Sequence, residues 1–331
     1  MDKKKVVVIG GGTGTHTVLR GLKHYQAQID ISAVVTMADS GGSTGRLRDE
    51  FGYLPVGDVR MALTALASDI DKNEELMREL FLYRFNKGEG LSGHNFGNLL
   101  LVALTDILGS EDLAIKAAGK ILRIEGKVEP VTIAKADLVA KYEDGVELVG
   151  EHAIDEPDAS RAESRIIELS LSPRAKITDS ASQTLAKADL IVLGPGDLYT
   201  SVLANCVVDG VSEAIRDAKA KVVYVCNLMT KLGQTDRMTA DDHVVEISKY
   251  IGRCPDFTLV NCTALPEDLL KKYREDSEFP VKLGENKADC KLIQLDLLAT
   301  ESVQTTKGDL LKRSLIRHDP DKLAKKLMEI L

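Results

Sequence analysis

The chain has 331 residues, 44% hydrophobic and 28% charged, with 43 Lys and Arg against 51 Asp and Glu for a net charge of −8. Those figures fit a globular protein with a large core, and the length allows two average domains or one large one. They argue against sequence-independent binding along a nucleic-acid backbone, which needs a positive surface, so no nucleic-acid partner is expected.

The first element is a β-branched run at residues 6–9, bounded by glycines, which reads as a central parallel strand. Residues 15–25 carry helical spacing, with Val18, Leu19 and Leu22 on one face, and 31–37 read as a second strand. Strand, glycine loop, helix and strand make a βαβ unit. Residues 38–46 then read as a long polar, glycine-rich loop and 54–58 as a turn, with Asp58 capping a helix over 59–68. Helical patterns dominate 73–123, interrupted at 86–98. Residues 127–175 read as a β-rich insertion around the Asp144-Gly145 turn, with 155–164 as its most mobile part. The α/β rhythm returns with strands at 190–193, 222–226, 257–260 and 291–297, helices at 201–218 and 243–251, and a last helix opened by Asp319-Pro320. The expected fold class is α/β, a mostly parallel sheet within one domain over 1–331 that carries the 127–175 insertion.

No stretch is long enough to span a bilayer, and the run at 6–9 is too short for a signal-peptide core. A cytoplasmic protein without membrane insertion is expected. The five cysteines are odd in number and form no CxxC pair, which disfavours metal fingers and a disulfide framework. Cys226 and Cys262, in or just after apolar runs, read as small buried hydrophobes.

Three glycine-rich loops carry the candidate chemistry. In the first, Gly10 to Gly14, the glycines let backbone amides approach a phosphate at a helix N-terminus, which makes Gly11, Gly12, Thr13 and Gly14 binding candidates. The dinucleotide fingerprint is incomplete because Thr15 holds its last position, and no Gly-Lys-Ser/Thr follows, so NAD is not expected as a redox cofactor. The same edge receives Asp39, Gly41, Gly42, Ser43 and Arg46. Asp39 suits either a ribose hydroxyl or, with Asp58, a divalent metal such as Mg2+ beside phosphates. Arg46, Arg48 and Arg60 suit either phosphate or the neighbouring carboxylates. In the second loop, His94, Asn95 and Asn98 suit a base or sugar, with Asn95 also a natural helix cap and His94 a weaker candidate base. The third loop supplies Gly194, Gly196, Asp197, Tyr199 and Thr200, and Asn227 follows the next strand. In a parallel sheet all these loops meet at the carboxyl edge, where open α/β sheets bind ligands. No Ser-His-Asp ordering, glycosidase pair or HExxH occurs, so covalent catalysis is not indicated.

With these residues assembled, the chain resembles the CofD/YvcK family, nearer its YvcK branch. The carrying segments are VVVIGGGTG (6–14), VVTMADSGGSTGRLRDEFGYLPVGD (34–58), FNKGEGLSGHNFGNLLL (85–101), ADLIVLGPGDLYTS (188–201), VVYVCNLMTKLGQTD (222–236) and RHDPDKLA (317–324). The resemblance implies a Rossmann-like, doubly wound fold. It also implies a gluconeogenesis factor that binds a UDP-sugar of the UDP-N-acetylglucosamine class and supports cell shape and peptidoglycan precursor supply. No reaction comes with that branch, and the oligomeric state is left open. The alternative it implies is a metal-dependent transferase that moves a phospholactyl-type group from a nucleoside diphosphate donor to a deazaflavin hydroxyl. Ser40 stands where such a transferase is expected to carry a second Asp, and Thr15-His16-Thr17 departs from the hydrophobic residues expected after the glycines. Tyr273 and Arg317 fit a stacking aromatic and a phosphate-binding arginine.

Overall fold

The computed structural model describes residues 2–38, 40–158, 161, 164–285, 290–300 and 315–331. Strand β1 (Lys4–Gly10), helix α1 (Gly12–Lys23) and strand β2 (Ile29–Val35) form the opening βαβ unit. Five helices follow: α2 (Gly42–Phe51), α3 (Gly57–Leu66), α4 (Lys72–Leu82), α5 (Phe96–Leu108) and α6 (Glu111–Ile121). They lead into β3 (Lys127–Pro130), and β4 (Asp137–Tyr142), β5 (Glu147–Val149), α7 (Glu151–Asp155) and β6 (Ile166–Ser172) come next. The second half runs α8 (Asp179–Ala186), β7 (Leu190–Leu193), a π-helical turn (Leu198–Leu203), α9 (Ala204–Cys206), α10 (Val211–Asp217) and β8 (Lys221–Val225). It ends with α11 (Ala240–Ile251), β9 (Phe257–Asn261), α12 (Glu267–Glu275), β10 (Lys291–Leu295) and α13 (Pro320–Ile330).

The main sheet has seven strands in the order β3-β2-β1-β7-β8-β9-β10, and every pairing in it is parallel. Strand order therefore reverses direction between β1 and β7, which is the switch point of a doubly wound fold. Alternation along the strands supplies both helical layers. Val6 and Val8 face the layer containing α1, α3 and α13, while Val7 and Ile9 face the layer containing α8, α10 and α11. Each is at most 1% exposed, and burial of such a side chain contributes about 1.5–3 kcal/mol.

The structure departs from the sequence reading at several points. The glycine-rich stretch after β2 is largely helical, because α2 begins at Gly42, within it. A Cβ on Gly45 would sit 2.1 Å from the Ser40 carbonyl oxygen, so only glycine lets this helix fold back so tightly. Strand β3, read as part of the insertion, pairs with β2 in the main sheet. The separate antiparallel sheet holds only β4, β5 and β6, in the order β5-β4-β6. The single helix expected over 201–218 is broken before α10 at Gly210, whose φ of 96° ends the preceding turn. Helix α12 carried no assignment, and Cys262 is exposed, unlike Cys226. Of the segment expected to be mobile, residues 159, 160, 162 and 163 lie outside the described residues, whereas Asp155 at its start is held by three side chains.

Candidate functional site

The loop after β1 sits at the switch point and packs directly on the loop after β7. A Cβ on Gly14 would lie 2.0 Å from the Pro195 carbonyl oxygen, so the two loops touch backbone to backbone. Gly12 differs: its φ is +60°, and a Cβ there would meet nothing nearer than Ser201 Oγ at 4.0 Å. The start of α1 thus opens toward free space at Gly12 while it is sealed at Gly14. Gly11 is the N-cap and offers no side-chain cap, and α1 has no acidic residue in its first turn to neutralise the positive end of its dipole. Asp58 serves instead from the first turn of α3, its Oδ1 accepting from the Gly12 amide at 2.8 Å. It does not cap its own helix, whose N-cap is Val56. Asp39, its expected metal-binding companion, lies outside the described residues. Among the described residues no three His, Cys, Asp or Glu side chains gather as a metal cage.

The second loop and α2 are knitted into a closed network. Ser43 Oγ lies 3.2 Å from His94 Nδ1 and accepts from the Asn95 amide at 3.2 Å. Asn98 Nδ2 donates to Thr44 Oγ1, and Asn98 Oδ1 accepts from Arg60 Nε at 2.8 Å. Asn95 caps α5 through the Asn98 amide and donates to the Leu82 carbonyl. Ser43, Thr44, His94, Asn95 and Asn98 are all buried. Burial, followed by the charge of Arg46, holds the His94 imidazole below its ordinary pKa. Arg46 itself donates to the Ser92 carbonyl, Gly41 caps α2 and Gly42 faces open space. These residues do come together as expected, and their polar atoms bind one another.

A different arrangement lies along the first turns of α1. His16 is pushed down to a pKa of about 4, first by burial and then by the charges of Arg20, Arg78, Arg317 and Arg60. Positive charges from α1, α4, the segment before α13, and α3 therefore all act on this one imidazole. Thr15 Oγ1, Asn227 Oδ1 and His318 Nε2 are buried with no hydrogen-bond partner among the described residues. Buried polar atoms are nearly always paired, which sets these three apart from the closed network around Asn98. Tyr273 braces this rim: its hydroxyl accepts from the Leu315 and Ile316 amides at 2.8 and 3.2 Å and so positions Arg317. Arg20 and Arg78 escaped the sequence reading because nothing local marks them. The packing of α1 on α3 and α13, and of α3 on α4, is what brings the helices that carry these charges together.

On the other side of the glycine loop, the loop after β7 turns its polar residues toward the insertion. Tyr199 is buried, its hydroxyl 3.5 Å from the Ile166 carbonyl. Thr200 Oγ1 donates to Asp155 Oδ1 at 3.2 Å. Lys231 Nζ stands 3.4 Å from Asp155 Oδ2 and 3.7 Å from Asp197 Oδ2. Burial raises the Asp197 carboxyl to about 6, against the pull of Lys231. Burial also works against the Lys231 charge, but Asp197 and Asp155 outweigh it and hold the ammonium above its ordinary pKa. Asp155 and Lys231 were missed because each lies in an unremarkable polar stretch.

Known proteins match this architecture along its whole length. The family model described as 2-phospho-L-lactate transferase CofD covers residues 6–298. A gluconeogenesis factor of Bacillus subtilis is 41% identical over 335 residues, spanning 100% of this chain and 99% of that one. One from Halalkalibacterium halodurans is 39% identical over 331 residues, spanning 99% and 97%. A crystal structure of a UPF0052 family member from Bacillus halodurans superposes with a TM-score of 0.88 at 37% identity, covering 99% of both chains. With that fold, that match and that full-length identity, the chain belongs to the CofD family, on the branch of the gluconeogenesis factors.

Proposed function

We propose that this protein binds a nucleoside diphosphate conjugate, a UDP-sugar of the UDP-N-acetylglucosamine class, at the carboxyl edge around Gly12. On this reading it acts as a gluconeogenesis factor supporting cell shape and peptidoglycan precursor supply. The carrying observation is that the charges of Arg20, Arg60, Arg78 and Arg317 all act on His16, one turn beyond Gly12 at the start of α1, where a side chain would meet open space. A diphosphate would add negative charge beside these guanidinium groups, and a helix start favours an anion. On this reading Asn227, whose Oδ1 has no hydrogen-bond partner among the described residues, accepts from a base or ribose.

A second reading is favoured by the family description: transfer of a phospholactyl-type group from a nucleoside diphosphate donor to a deazaflavin hydroxyl. It places the donor on the same rim and adds Mg2+ at Asp39 and Asp58. Titration calorimetry with UDP-N-acetylglucosamine, GDP and NAD, each with and without Mg2+, separates the readings. UDP-sugar binding supports the first. A failure of every UDP-sugar overturns it, and turnover of a deazaflavin acceptor promotes the second.

A further inference from the structure

The insertion does more than hang from the sheet edge. Its helix α7 is tied at both ends to loops of the main sheet. At its start, the His152 amide donates to Ser40 Oγ at 2.9 Å, and Glu151 Oε2 accepts from the Ser40 amide at 3.2 Å. Ser40 follows β2. At its end, Asp155 meets Thr200, from the loop after β7, and Lys231 and Gln234, from the loop after β8. In the sheet order β1 lies between β2 and β7. Helix α7 thus ties the loop after β2 to the loops after β7 and β8.

The group at the far anchor is rich in acceptors. Two carboxylates share one lysine, and the 3.7 Å separation from Lys231 leaves Asp197 short of a good hydrogen bond. Gln234 is 3% exposed; its Nε2 donates to Asp155 Oδ1 at 3.3 Å, and its Oε1 is buried with no partner among the described residues. Asp197 keeps 37% of its side-chain surface open, and Gly196 beside it packs against the Gly11 carbonyl. With two carboxylates to one ammonium, such a cluster wants hydrogen-bond donors rather than phosphate.

We infer that Asp197, Asp155, Lys231 and Gln234, closed in by α7, form the subsite that receives the hydroxyl- and amide-bearing end of the ligand. The arginine rim and the acceptor cluster then flank Gly12, one for the diphosphate and one for the sugar. This assignment rests on the ligand reading above, and it makes Asp197 a specificity determinant.

The test is calorimetry of UDP and UDP-N-acetylglucosamine with the wild type, Asp197→Asn and Gln234→Leu, each checked for folding by thermal melting. The inference expects each variant to lose about tenfold in affinity for the UDP-sugar, about 1.4 kcal/mol, and less than twofold for UDP. Equal losses for both ligands, or no loss for either, overturn it. N-acetylglucosamine 1-phosphate against inorganic phosphate repeats the contrast without a nucleoside. If neither UDP nor UDP-sugar binds but the sugar phosphate outcompetes phosphate in an Asp197-dependent way, the nucleotide reading alone fails. A sugar phosphate that binds no better than phosphate overturns the subsite.

Discussion

Two polar clusters share the carboxyl edge of the sheet and differ in what their atoms are doing. Around Asn98 every polar group is answered: Arg60, Ser43, Thr44 and Asn95 bind one another across two helices and a loop. At His16 the charges of four arginines oppose protonation, and Thr15, Asn227 and His318 each keep a buried atom without a hydrogen-bond partner among the described residues. The first cluster is part of what holds the fold, the second is where the proposed ligand would sit, and Arg60 belongs to both. Both are glycine-flanked and polar, so composition does not separate them; the accounting of hydrogen bonds does.

The largest effect is expected at the seal between the two loops. Gly14→Ala drives a methyl group into the Pro195 carbonyl and should leave little folded protein, as read by soluble yield and circular dichroism. Gly12→Val, two residues earlier, should fold with a strain of about 1–2 kcal/mol while blocking ligand, and unchanged affinity would place the ligand elsewhere. Next comes Asn98→Ala. It strands Arg60 Nε and Thr44 Oγ1 and should cost about 2–3 kcal/mol in denaturant unfolding. A ligand affinity lost without that stability loss would erase the distinction between the clusters.

Arg78→Ala should do the reverse. Its Nε is buried without a hydrogen-bond partner among the described residues. Stability should barely change, while affinity for a nucleoside diphosphate falls about tenfold, about 1.4 kcal/mol. The smallest effect belongs to Asp197→Asn without ligand. Burial favours the protonated acid, so between its ordinary value of 3.8 and about 6 the folded state holds more proton than the unfolded one. Stability therefore falls as pH rises through that window. The variant should melt slightly higher than wild type above about pH 6 and lose that advantage below about pH 4. A gain that persists in acid would contradict the assignment.

Much of this was legible in the chain itself. The continuous apolar runs of β1, β7 and β8, buried on both faces, and the glycines after β1 and β7 give the α/β topology and the edge where the loops meet. The fate of Asn98 was not legible, because it depends on Arg60, which is 38 residues away. Nor was the acceptor cluster, since Asp155 reaches Lys231, 76 residues along the chain, only once α7 packs against the loops of the main sheet. Helix α2 hid for a similar reason: its glycines suit a loop, and only the close approach at Ser40 makes them suit a helix. Tyr273 was read as a stacking aromatic, and its hydroxyl is occupied in holding the segment that carries Arg317.

The central claim is that the arginine rim receives the diphosphate, and His16 reports on it. Its imidazole titrates at about 4 in the free protein because burial and four positive charges oppose protonation. A bound diphosphate offsets those charges and favours the imidazolium. NMR titration of the His16 ring, with and without saturating UDP-N-acetylglucosamine, should show its pKa rise on binding. A ligand that binds while the His16 pKa stays at about 4 or falls would contradict the account.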